Sequence, residues 1–131
     1  MIVIKTEEFN KYINALLNKS EEAYLMSIEI INKPTINYRT EGFCFFICNA
    51  WELLLKAYLI NKAKDINVIN YKDDTNRTIG LDECVEKVFT STTDKTKNNI
   101  SFVRNIRNKA THLILPEYDF ILSPAFQRCL T

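Results

Sequence analysis

Two glycines and three prolines in 131 residues leave few places for tight turns. That scarcity excludes a many-stranded sandwich or barrel, which needs a turn signal every eight to twelve residues or so. The chain has a single histidine, His112, and only four cysteines, Cys44, Cys48, Cys84 and Cys129. Cys44 and Cys48 share a helical face, but two such ligands and one distant histidine do not make a zinc spacing. Buried, reduced core thiols are therefore expected, with no metal and no cofactor. Charge of one sign is not in excess: the formal net charge is +1. No secretory signal is expected, because Met1-Ile2-Val3-Ile4 runs at once into Lys5, Glu7 and Glu8. The longest apolar stretch, residues 43–60, is interrupted by Asn49, Glu52 and Lys56. A cytoplasmic protein with no membrane partner is the expectation.

What is present is helical periodicity. A first helix is expected over about residues 6–32, with Thr6 as N-cap and Glu7 and Glu8 in its first turn. Phe9, Tyr12, Ile13, Leu16, Leu17, Ala23, Tyr24, Ile28 and Ile31 mark its apolar stripe, and Pro34 follows its end. A second helix should start at 39–41 and reach about 63. It is apolar on most sides, which suits the centre of a bundle. A narrow ridge of Asn49, Glu52 and Lys56 is expected to face solvent, with Glu52 and Lys56 in the favourable i,i+4 order. Residues 64–79 read as a long connection with room for a short strand-like excursion. A third helix follows over about 81–90, with Gly80 as N-cap and Glu83 at the capping-box position. The fourth opens at Thr93-Asp94 and runs to about 112–115, before Pro116. A fifth is expected over about 117–130. The fold class is all-α, an up-down four- to five-helix bundle, in a single domain over residues 1–131. The abrupt end after Leu130 suggests the N-terminal part of a longer protein.

From Lys95 to Lys109 every charged residue is basic: Lys95, Lys97, Arg104, Arg107 and Lys109. A local basic stripe on a near-neutral protein suits phosphate contact, with Arg104, Lys109 and Lys97 as candidate RNA-binding residues. On a helix Arg104, Asn108 and His112 fall on one ridge, and Arg107 lies within reach of it. An arginine that clamps a phosphate and a histidine that moves a proton near neutral pH are a minimal kit for cutting RNA without metal. The ribose 2′-hydroxyl would attack the adjacent phosphate, leaving a 2′,3′-cyclic phosphate and a 5′-hydroxyl. One histidine cannot easily be base and acid at once, whereas a symmetric dimer supplies two. The plainer alternative is a basic helix end, where the dipole favours cations and a lone histidine.

The run Arg107-Asn108-Lys109-Ala110-Thr111-His112, on a late helix of an all-α bundle, resembles the Arg-polar-x3-His signature of the HEPN superfamily. The stretches Asn49-Ala50-Trp51-Glu52-Leu53-Leu54-Leu55-Lys56-Ala57 and Thr78-Ile79-Gly80-Leu81 add a resemblance to an uncharacterised bacterial HEPN family linked to phage defence and abortive infection. The resemblance covers about residues 5–130. It implies a homodimeric endoribonuclease with its active site between protomers. Arg107 would contact the phosphate, Asn108 would be its polar partner and His112 the catalytic histidine. Glu52, from an earlier helix, would position one of them. The implied targets are tRNA, mRNA or rRNA, and the implied setting is a toxin with an antitoxin or regulatory partner. A non-catalytic HEPN module that dimerises and binds RNA or protein is the alternative.

Overall fold

The structure is a computed structural model that describes residues 2–71, 74–91 and 93–110. Helix α1 spans Ile2–Ile31 and α2 spans Arg39–Ala63. A 3-10 turn at Ile66–Ile69 leads into a two-stranded hairpin, β1 at Asn70–Tyr71 and β2 at Asp74–Thr78. Helix α3 covers Leu81–Val88 and α4 covers Lys95–Ala110. This is the expected all-α bundle. The fifth segment, with His112 and Cys129, lies outside the described residues.

Two boundaries differ from the sequence expectation. Helix α1 begins at Ile2 rather than at a Thr6 cap, because Ile2–Lys5 contains no breaker and the helix runs through it. Helix α3 stops at Val88, two residues early: Phe89 turns extended while its N–H still bonds the Val85 carbonyl. Gly80 precedes α3 as expected, but without a side-chain cap bond. Helix α2 ends where expected, on a left-handed Lys64 whose N–H reaches the Ile60 carbonyl at 2.8 Å. That terminus normally favours glycine.

Helix α2 is the centre. It packs against α1, α3, α4 and the 3-10 turn. Its window of mean hydropathy 1.6 is long and apolar enough to cross a membrane, yet 56% of that window is buried inside the protein. The apolar length is thus spent on neighbouring helices, as in a core helix. Phe43, Cys44, Ile47, Cys48, Leu55, Leu59 and Ile60 are its buried residues at the core, joined by Ile31, Leu81, Cys84, Val85, Ile100 and Val103. Helices α1 and α2 lie antiparallel and close. Ser20 Oγ donates to the Ala50 carbonyl at 2.7 Å, and the Gly42 position meets Ile30 Cγ2 with only 3.1 Å for an added Cβ. Ser20, Ala23 and Ser27 are buried along this contact, while Tyr12 and Leu17, expected inside, are exposed.

The hairpin pairs Asn70 with Thr78 and Tyr71 with Asp74, with an irregularity between. Ile69 and Ile79 are buried beside it, tied by an Ile79 N–H to Ile69 carbonyl bond of 2.8 Å. This lays Thr78 over α2, and the expected solvated ridge is corrected there. Lys56 is buried at 6% exposure; its Nζ donates to Glu52 Oε2 at 3.0 Å and to Thr78 Oγ1 at 2.8 Å. The i,i+4 pair forms, but under the hairpin rather than in solvent.

Candidate nucleic-acid interface on the fourth helix

Asp94 starts α4: its Oδ1 accepts from the Lys97 N–H at 3.1 Å, satisfying one free amide of the first turn. Ile100 and Val103 then seat the helix on the core and Ile106 packs at its margin. That line fixes where each cation points.

Arg104 is paired with Asp82. Its Nε reaches Asp82 Oδ1 and its Nη1 reaches Asp82 Oδ2, both at 3.1 Å. Lys97 Nζ sits 3.3 Å from Glu86 Oε1 and 3.4 Å from the Phe89 carbonyl. The two ion pairs run in opposite chain order, so α3 lies antiparallel beside α4. The basic stripe therefore meets an acidic ridge, Asp82 and Glu86, which are spaced i,i+4 on α3. Arg107 is half-buried in the last described turn, and its Nη2 donates to Asn108 Oδ1 at 3.3 Å. Asn108 and Lys109 are exposed.

Across from α4 stands the Cys48 thiol, buried on α2. Burial pushes it up to about 11; Arg107 and Arg104 pull it back, while Asp82 and Glu52 add to the rise. Four charged residues from three helices therefore act on one thiol. Glu52 and Arg107, far apart in the chain, both act on this thiol, in opposite directions. The nearest described partner of Glu52 is Lys56. Burial likewise raises the Cys84 thiol to about 11, with Lys56 lowering and Glu52 raising it. Among the described residues no group of three His, Cys, Asp or Glu side chains stands together as a metal site.

Sequence reasoning singled out Arg107, Asn108 and Arg104 as candidates, and passed over Asp82, Glu86 and Thr78, which pair with cations here. The i,i+4 spacing of Asp82 and Glu86 was the available signal. It carries no meaning until α3 is known to lie along α4.

The class of protein defined here is an all-α bundle with a cationic helix on its flank, partly neutralised by a short acidic helix. Residues 15–131 match the family model described as a domain of unknown function, DUF3644. The chain belongs to that family. No curated protein and no solved structure matches it.

Proposed function

We propose that the chain is a metal-independent endoribonuclease of the HEPN type, acting in the cytoplasm as a homodimer in phage defence or as the toxin of a toxin-antitoxin pair. The observation that carries this reading is Arg107. Arg107 as a residue is half-buried, and its Nη2 donates to Asn108 Oδ1 at 3.3 Å. An arginine restrained in this way loses less freedom on clamping a phosphate than one free in solvent. Arg107 would stabilise the charge that builds on the phosphorane, and Asn108 would orient it. His112, a few residues on, would transfer the proton, with the partner protomer's copy supplying the opposite acid-base role. Glu52, whose charge acts on the same Cys48 thiol as that of Arg107, would act as a positioning residue.

The test is incubation with total RNA, with mapping of the product ends. Cleavage to 2′,3′-cyclic phosphate ends is expected from the wild type, undiminished by EDTA. It should disappear in Arg107→Ala and His112→Ala proteins whose helical circular dichroism is unchanged. Cleavage that persists in His112→Ala removes the mechanism. Saturable RNA binding without any cyclic-phosphate product would instead favour a non-catalytic binding module.

A further inference from the structure

We infer that the groove between α3 and α4 is a phosphate subsite for single-stranded RNA, held shut in the free protein by Asp82. This rests on the endoribonuclease reading and concerns how that protein engages its substrate. The groove encloses about 260 Å³ and is lined by Asp82, Val85, Glu86, Ile100, Ser101 and Arg104. Its floor is apolar: Ile100 and Val85 are buried core residues. Arg104 and Ser101 line the groove as well. A phosphodiester needs these elements, a planar fork of N–H donors, a neutral hydroxyl donor and an apolar base for the sugar.

The fork is already filled. Arg104 Nη1 donates to Asp82 Oδ2 at 3.1 Å and Nε lies 3.1 Å from Oδ1, so the carboxylate holds the guanidinium that a phosphate would take. Asp82 is therefore an internal stand-in for the ligand. It is easily displaced, because its side chain is 64% exposed and water can take over the carboxylate as it swings out. Its departure does not undock α3, since Leu81, Cys84 and Val85 anchor that helix in the core. Glu86, one turn further along α3, stands against Lys97 in a second ion pair. A polyanion thus gains these cations only by outcompeting the acids of α3.

The measurement is the affinity of a short labelled single-stranded RNA for the full chain carrying His112→Ala, which prevents turnover. Adding Asp82→Asn should tighten binding about three- to tenfold and steepen the salt dependence by about one phosphate contact. Adding Arg104→Gln on top should cancel the gain. Asp82→Ser serves as a second variant, and thermal melts confirm that each remains folded. Equal affinities with and without Asp82, or a gain that survives Arg104→Gln, overturn the inference. So does the absence of binding by every variant. Wild-type cleavage of RNA in parallel separates the two claims: cleavage with an unchanged Asp82→Asn affinity removes the latch and leaves the endoribonuclease standing.

Discussion

Lys56 is an ammonium that a helical wheel puts in water and the fold puts beneath Thr78. Once buried, it depends on Glu52, and the dependence is asymmetric. Glu52→Gln leaves a buried cation with a weaker acceptor and should cost about 1.5–3 kcal/mol in urea unfolding. Lys56→Met removes the charge and keeps the apolar stem, leaving Glu52 to reach solvent, and should cost clearly less. Equal losses would mean that the pair is not desolvated. Lost activity in a Glu52 variant must accordingly be read beside its stability. The thiols of Cys48 and Cys84 are a second consequence of burial. Both stand at about 11 in the folded chain against 9.0 for a free thiol. Below pH 9 both states hold the proton and the stabilisation is complete. From pH 9 to 11 the unfolded chain sheds protons that the folded chain keeps, so stability falls as pH rises. The urea midpoint should drop over that window, and Cys48→Ala with Cys84→Ala should flatten the drop. A flat wild-type profile would contradict the burial.

At the scale of elements, α1 and α2 meet through small residues. Ser20, Ala23, Ser27 and Gly42 let the helices approach, and Ile30 fills the space over Gly42. Gly42→Val should force Ile30 aside and destabilise by about 1–3 kcal/mol, the usual range for overpacking. Ser20→Ala removes only the 2.7 Å bond to the Ala50 carbonyl and should cost about 1 kcal/mol. Thermal melts of both variants check the order, and a Gly42→Val protein as stable as wild type would show that the helices are not in close contact. The serines explain why the α1 stripe was only partly legible. Apolar periodicity marks large residues and passes over small polar ones, yet a hydroxyl bonded to backbone, Ser20 to the facing Ala50 carbonyl and Ser27 to the Tyr24 carbonyl of its own helix, is fully at home in a helix contact. Tyr12 and Leu17 satisfy the period and still lie outside, because among the described residues α1 packs mainly on α2, whereas α2 packs on α1, α3 and α4.

At the scale of the whole molecule, the surface bears on assembly. Phe45 is 57% exposed and Tyr58 50%, whereas Phe43 is fully buried and Phe46 and Trp51 are half-buried. The proposed chemistry needs two copies of His112. Specific activity should therefore fall on dilution in step with dissociation measured by sedimentation, and an activity proportional to concentration across that range would sink the composite site.

The all-α class, the extent of α2, Gly80 before α3 and the run of cations on α4 were all determined by local sequence. Each rests on periodicity, breaker placement or propensity within about one helix length. Arg107 and Asn108 were legible for the same reason, as neighbours on one turn. What only the tertiary structure decided is which charges meet. Arg104 finds Asp82, Lys97 finds Glu86, and Lys56 finds Thr78 across 22 residues. Coulomb attraction and desolvation depend on distance and burial in space, and no spacing along the chain encodes either. A stripe that reads as uniformly positive is, once folded, partly neutralised by the helix laid beside it, which pairs Lys97 and Arg104.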